Sequence, residues 1–386
     1  MAKRHHLQIA LVGGSPTPVY QGVLHLKPDQ VLLVHSQASK ETAQNIRKQL
    51  PMYADKDVLM FEMSDNDLEK MYQTAELIEQ SIPKGIPVSM NITGGMKLWS
   101  VIFNNVFRRK RRSCHTFFIG QNGTFFDLKE KVSKGKVEFD MDAQFKILGH
   151  SLDEYTSLSD YTSEDFDVLN RIQNWGFSDK YHYPLFKLTA EFAEQYKEAN
   201  KDTCFKMDFS YKDKYNNTIS WKASLHSFDI VLMGNTQTFS SPHAEHIVLN
   251  TGWFELYTAR MISKKFGAEN VRLNCIFRNT HNLPKNEIDI IVNTGQKLIF
   301  VECKTQVAKS VDVDKFNSAV RNYGGLGSRP LFVTNSPMKA DAKEKCEDYR
   351  ITTFHFVNPA NPMSQTEKAE ALAKVIEDLN KTWNYK

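Results

Sequence analysis

Apolar and polar positions alternate along this chain in blocks that change character twice. Over residues 1 to about 130, short apolar runs at Leu7–Val12, Val31–Val34, Val58–Met63, Val88–Ile92 and His115–Ile119 read as strands. Between them, Lys40–Gln49, Asp67–Ser81 and Met96–Arg109 carry helical spacing. Strands alternating with helices predict a parallel, doubly wound sheet, with a ligand crevice beyond the carboxyl ends of its strands. From residue 150 to about 245 the pattern loosens. Ser151–Asp167 is polar and acidic and reads as a linker. Helices are expected over Asp167–Gly176 and Tyr181–Lys201. Thr203–Phe239 is aromatic and Asn-rich, which predicts a strand-rich insert with strands at Ile219–Leu225 and Phe228–Met233.

Beyond residue 245 regularity returns. Thr251 is placed to cap a helix over Trp253–Phe266 that Gly267 ends. Strands follow at Val271–Arg278, Glu287–Val292 and Leu298–Cys303. A helix over Asp312–Tyr323, a strand at Leu331–Val333, a helix over Pro337–Asp348, a strand at Ile351–Val357 and a helix over Glu367–Lys381 complete the order α-β-β-β-α-β with one further helix and strand. The expected domains are residues 1–145, a connecting segment 146–240, and 241–386.

Composition narrows the class. The 386 residues are 41% hydrophobic, and no apolar run approaches the roughly 20 residues a bilayer span needs. Leu7–Val12 runs into Gly13-Gly14 and reads as a first strand, not as the core of a signal peptide. Five scattered cysteines without a C-x-x-C pair argue against a zinc site or a disulfide framework and for the cytoplasm. The net charge of +4 announces no partner, but Arg108–Arg112 is a run of five cations. It suits either a polyanion or a solvated helix end facing the macrodipole.

The strongest candidate chemistry lies in NEIDIIVNTGQKLIFVECKTQ, residues 286–306. Asn293-Thr294-Gly295-Gln296 is turn chemistry between two apolar runs, so a hairpin would bring Asp289 close to Glu302 and Lys304. The last two lie two apart, on one side of a strand. Carboxylates in apolar strands are costly unless paired or bound to a cation, and two carboxylates with a lysine suit a hard divalent ion and phosphate chemistry. The plain alternative is a Glu–Lys pair on an edge strand. Cys303 faces the opposite, buried side. His243 and His246 are spaced as helical ligands but read as surface residues.

Two further loops follow strands one and four. Gly13-Gly14-Ser15-Pro16-Thr17-Pro18 lacks the dinucleotide fingerprint, and Asn91-Ile92-Thr93-Gly94-Gly95-Met96-Lys97 lacks Walker A spacing. Glycines and free N–H groups at a helix start nevertheless suit an anion, and Lys97 adds a charge. The alternative is a turn that needs glycine for its own geometry.

These motifs resemble known families. Asp289 with Glu302-Cys303-Lys304, and Glu255 on the preceding helix, resemble the PD-(D/E)-x-K nuclease superfamily over residues 245–357, although Ile288 stands where Pro is common. The resemblance implies a metal-dependent phosphodiesterase with Glu255, Asp289, Glu302 and Lys304 as catalytic residues and Asp289 and Glu302 as ligands of Mn²⁺ or Mg²⁺. The first domain, with its Thr-Gly-Gly-x-Lys loop, resembles the CRISPR-associated Rossmann-fold (CARF) domain. The fusion resembles the CARF-nuclease effectors of type III CRISPR systems. That implies a homodimer that binds cyclic tetra-adenylate through Thr93, Gly94, Gly95 and Lys97, more loosely Ser15 and Thr17, and cleaves DNA, RNA or both. A constitutive restriction or repair nuclease and an inactive transcriptional sensor are the other readings, and the complete Asp289/Glu302/Lys304 set argues against the sensor.

Overall fold

The computed structural model describes the chain except residues 1–4, 111–113, 121–122, 137–139, 202–203, 250, 279–283, 296, 326, 357–363 and 382–386. Arg111, Arg112, Gln296 and Val357 of the motifs above therefore lie outside the described residues.

A seven-stranded sheet forms the first unit, from β1 (Leu7–Leu11), β2 (Gln30–His35), β3 (Val58–Glu62), β4 (Val88–Asn91), β5 (His115–Ile119), β6 (Thr124–Asp127) and β7 (Val132–Lys136). Its order is β3-β2-β1-β4-β5-β6-β7. The first five strands run parallel, and β6 and β7 fold back antiparallel on the edge. Helices α3 (Leu68–Ser81) and α4 (Lys97–Lys110) cover one face, burying Met71, Ile78, Trp99 and Phe103. Helices α1 (Thr17–Leu26), α2 (Lys40–Lys48) and α5 (Met141–Ile147) cover the other, burying Val19, Ile46 and Ile147. The strand order reverses between β1 and β4, so the loops after those strands flank the crevice. Helix α1 was not expected: the sequence reading placed only the loop Gly13–Pro18 between the first two strands. Proline is tolerated in a first helical turn. At Gly22 a Cβ would stand 2.5 Å from Nδ2 of Asn91, so glycine lets α1 lie close to the sheet.

The second sheet has six strands, in the order β17-β16-β15-β14-β13-β8. Its first strand, β8 (Glu154–Ser157), and the start of α6 (Ser163–Gly176) lie inside the stretch expected as a linker. Polarity misled there because β8 is an edge strand whose Glu154 and Tyr155 are exposed. Next come α7 (His182–Asn200) and the four-stranded insert β9 (Phe209–Lys212), β10 (Thr218–Lys222), β11 (Ser227–Leu232) and β12 (Asn235–Ser240). Then α8 (Ala244–Val248), α9 (Gly252–Phe266), β13 (Val271–Arg278), β14 (Pro284–Asn293), β15 (Leu298–Lys304), α10 (Ser310–Tyr323), β16 (Arg329–Thr334), α11 (Ala340–Asp348), β17 (Thr352–His355) and α12 (Gln365–Lys381) follow. One core joins α6, α7, α9, α12 and the insert to one face of this sheet, so the middle segment packs as part of the second unit. Thr251 adopts a left-handed backbone (φ 70°) and precedes α9 without capping it through its side chain.

Helix α5 belongs to both units. Ala143 and Ile147 lie in the first core, while Met141 and Phe145 lie in the core between the second sheet and α10. Phe145 packs edge-on against Phe277 of β13 and Phe300 of β15.

Candidate functional site

The hairpin β14–β15 and helix α9 bring Glu255, Asp289, Glu302 and Lys304 into one electrostatic cluster, as the sequence led us to expect. Lys304 Nζ lies 2.7 Å from Glu302 Oε1, and the backbone N–H of Cys303 donates to Asp289 Oδ2 at 2.7 Å. The site is half-buried and crowded with like charge, and both effects oppose ionisation. Burial, then Glu287 and Glu302, push Glu255 up to about 8. Burial, Glu302 and Glu255 hold Asp289 well above the usual carboxylate range. Burial also raises Glu302, against the pull of Lys304. Burial alone would lower Lys304, but Glu302 and Asp289 outweigh it and keep the ammonium charged. Carboxylates with raised proton affinity around one point form a donor set that a divalent cation completes, because the ion removes the repulsion that a proton otherwise relieves.

Two neighbours escaped the sequence reading. Glu287 sits two residues before Asp289 and acts electrostatically on Glu255 and Glu302. Its signal was the Glu-x-Asp spacing on one strand. Asn274 of β13 had no such signal. Leu273 pairs with Ile290 and Cys275 with Ile288, so Asn274 stands opposite Asp289, in a left-handed conformation (φ 50°). On one side of that pair Leu273 and Ile290 enter the core with α9. On the other, Cys275 and Ile288 enter the core with α10. Residues two apart on a regular strand share a face. The sheet therefore turns over at Asn274 and Asp289, which is why Asp289 sits between two buried isoleucines. Asn274 also contacts Nε2 of His246 at 2.9 Å, and His246 Nδ1 lies 3.1 Å from the Tyr161 hydroxyl. His243 Nδ1 lies 2.9 Å from Oδ2 of the buried Asp165. Both histidines are half-buried, and each ring has a polar partner on another element.

The two glycine loops meet at the switch point of the first sheet. A Cβ at Gly94 would stand 2.3 Å from the Leu11 carbonyl oxygen, and one at Gly13 would stand 2.8 Å from the Gly95 backbone nitrogen. Gly95 is left-handed (φ +70°), with Leu11 Cβ 2.8 Å from its virtual Cβ. These glycines thus let the two loops pack backbone on backbone, whereas Gly14 borders open space. The Thr93 hydroxyl accepts from the Ile119 N–H (2.7 Å), and its own N–H donates to Asn91 Oδ1 (3.0 Å). Ser15 is half-buried, and Lys97 is exposed at the first turn of α4 with no ion-pair partner among the described residues. Thr17 donates to Gln144 of α5 at 2.8 Å. Two residues earlier, Asp142 forms a bidentate pair with Arg272 of β13, whose guanidinium lies 4.1 Å above the Tyr155 ring of β8. A cavity of about 710 Å³ opens beside α4, lined in part by Val101, Asn104, Arg108 and Lys129. Lys110 of the basic run instead faces Glu76 and Glu79 at 3.8 and 3.9 Å.

Comparison with known proteins supports this division. Residues 21–155 match the family model of the Card1 CARF domain, and residues 254–358 match the restriction endonuclease catalytic domain family, a span that holds all four clustered residues. No curated protein matches the chain. Among solved structures, Can2 from Sulfobacillus thermosulfidooxidans in complex with cyclic tetra-adenylate has a similar fold, with TM-score 0.71 and 17% identity over 97% of this chain and 99% of its own. Protein VC1899 from Vibrio cholerae aligns with TM-score 0.74 and 16% identity over 98% and 99%. A type III CRISPR defence DNA nuclease activated by cyclic oligoadenylate aligns with TM-score 0.52 and 15% identity over 88% of this chain and 48% of its own. The chain therefore joins a first domain similar to the Card1 CARF domain to a restriction-endonuclease-like domain that carries Glu255, Asp289, Glu302 and Lys304.

Proposed function

We propose that the protein is a metal-dependent nuclease of type III CRISPR defence, acting in the cytoplasm and switched on when its CARF domain binds cyclic tetra-adenylate. The observation that carries the reading is the half-buried group of Glu255, Asp289 and Glu302 with Lys304 beside it. Asp289 and Glu302 are the groups that would hold Mn²⁺ or Mg²⁺, with Glu255 completing the set, and the ion would supply Lewis-acid stabilisation to a scissile phosphodiester. Lys304 stays charged and is oriented by Glu302, so its ammonium serves to hold a water or to meet charge developing on the phosphate. Asn274 supports the turn-over that aims Asp289. The Cys303 N–H fixes one oxygen of that carboxylate.

Lys97, the Thr93 side chain and the N–H groups around Gly13–Ser15 and Gly94–Gly95 suit the phosphates of a cyclic nucleotide. A ring of four identical nucleotides can hold two-fold symmetry, so a two-fold dimer gives each half the same contacts. Met96, just before α4, and Leu98 and Val101 on it expose apolar surface beside Lys97, which favours this helix as the dimer contact. No helix among the described residues is long and apolar enough to cross a membrane.

The switch would run through α5. Thr17, at the ligand crevice, holds Gln144, and Asp142 of the same helix holds Arg272, two residues before Asn274. A shift of the first loop is thereby passed to the strand opposite Asp289. The deciding assay follows cleavage of fluorogenic DNA and RNA reporters with Mn²⁺, with and without cyclic tetra-adenylate. Cleavage that needs both supports the reading. Cleavage at full rate without the cyclic nucleotide points to a constitutive restriction or repair nuclease, and none under any condition refutes both.

A further inference from the structure

Residues 156–253 lie between the two family-matched spans, and their outer surface carries a pattern that the chemistry above does not use. Tyr183 and Tyr215 are 67% and 65% exposed, although tyrosine usually buries its ring. Lys187 and Lys214 stand over the Tyr215 ring, with Nζ 5.7 and 5.2 Å from its centre. Lys180 stands 5.0 Å over Tyr181, and Lys368 of α12 stands 4.8 Å over Phe177. Of these rings, the exposed Tyr183 and Tyr215 and the half-buried Phe177 border two adjoining cavities that share Tyr183. One, of about 630 Å³, lies between Lys187, Tyr215 and Met233. The other, of about 450 Å³, runs from Phe177 and His182 to Asn335 and Ser336. That second cavity borders the end of β15, the strand that carries Glu302 and Lys304. The Asn335 N–H donates to the Lys304 carbonyl (3.2 Å), and His182 Nε2 lies 2.7 Å from the carbonyl of Thr305. Asp213, the carboxylate beside Tyr215, is engaged by the backbone N–H groups of Tyr215 and Asn217 and by the Asn217 side chain, so it belongs to its own turn.

We propose that this surface is the track on which a single-stranded nucleic-acid substrate lies on its way to the nuclease centre. The inference rests on the nuclease reading and deepens it. Exposed rings interleaved with ammonium groups are the arrangement that holds unpaired strands. Bases stack on the rings and the cations follow the backbone, with little dependence on sequence. A duplex offers no free base faces to these tyrosines. The track starts at Tyr215, passes Tyr183 and Phe177, and ends where Asn335 meets Lys304.

The test uses the full-length protein with Asp289→Ala added to stop turnover. Binding of labelled single-stranded DNA, single-stranded RNA and the matching DNA duplex is followed by fluorescence anisotropy across salt concentrations. Both tyrosines are exposed, so Tyr183→Ala and Tyr215→Ala should fold normally, and Tyr→Phe at each site keeps the stacking face. Each alanine should weaken single-strand binding about tenfold and the pair about 100-fold, while the phenylalanine variants bind as wild type. Lys187→Gln with Lys214→Gln should reduce the slope of log affinity against log salt by about 1.4, or ~0.7 per lysine. On the active enzyme, the alanine pair should raise KM for strands and leave turnover of bis(p-nitrophenyl) phosphate, a diester without bases, unchanged. Unchanged strand affinity in the alanine pair, or duplex binding as tight as single-strand binding, would overturn the proposal. Failure of the wild type to cleave any diester would instead overturn the nuclease reading, leaving the binding series to decide the track.

Discussion

The two candidate sites are built on opposite principles. At the proposed nuclease centre the candidate groups are half-buried side chains whose like charges conflict, a conflict that a bound cation would relieve. At the CARF crevice the work falls to backbone. Gly13, Gly94 and Gly95 let two loops interlock, and Lys97, the charged member of the set, stands free at the surface. A site of the first kind should lose its chemistry when one carboxylate goes, yet keep or gain stability. A site of the second kind should lose its shape when a glycine gains a side chain, and lose only its ligand when the lysine goes.

The largest effect should come from Asp289→Ala or Glu302→Ala. Each should reduce cleavage about 100-fold or more, the scale of removing one main electrostatic stabiliser, while calorimetric binding of cyclic tetra-adenylate stays near wild type. Retained cleavage by Glu302→Ala in excess Mn²⁺ would remove the distinction between the sites. Next in size is the response to glycine. Gly95→Ala meets both a left-handed backbone, disfavoured by roughly 1–2 kcal/mol, and contact with Leu11. It should lower the melting temperature of the protein, as read by calorimetry, and with it activator binding. An unchanged melting temperature would mean that the loop is not held as described.

Proton linkage gives a smaller signal, confined to the nuclease centre. Glu255 ionises near 4.5 when exposed and is pushed up to about 8 in the folded chain. The folded state therefore binds more protons over that window, so metal-free stability falls as pH rises from about 4.5 to about 8. Melting scans in chelator should shift down by a few degrees across that range, and Mn²⁺ should reverse the shift. A flat profile would contradict the crowding of carboxylates. The smallest effect should be that of Thr17→Val. Losing one neutral hydrogen bond to α5, about 0.5–1.5 kcal/mol, should reduce maximal activation several-fold, as read from the plateau of cleavage rate against cyclic tetra-adenylate.

The same contrast explains what could be read from the sequence. Glu302, Lys304 and Asp289 were legible because a carboxylate inside an apolar strand is costly, and cost shows in a one-dimensional pattern. Glu255 required the element order as well. Asn274 left no trace, since its part depends on standing opposite Asp289 across a distorted ladder. The glycine loops were visible and were read both for a ligand and as turns that need glycine, and the missing Cβ atoms of Gly94 and Gly95 face Leu11. Helix α5 is too short for periodicity to reveal, and its double role exists only because two cores meet on it. The polar stretch before α6 read as a linker because an edge strand buries little.

The central claim is that one site senses and the other cuts, and it is tested most directly by measuring cleavage rate against cyclic tetra-adenylate concentration for Lys97→Ala beside wild type. A charge-assisted hydrogen bond contributes about 1.5–3 kcal/mol, and a two-fold site loses two of them. The account predicts that the activation midpoint rises at least about 100-fold, while the melting temperature and the cleavage rate without activator stay unchanged. A curve that overlays wild type in midpoint and plateau would show that the loop is a structural turn and would contradict the assignment of the sensor.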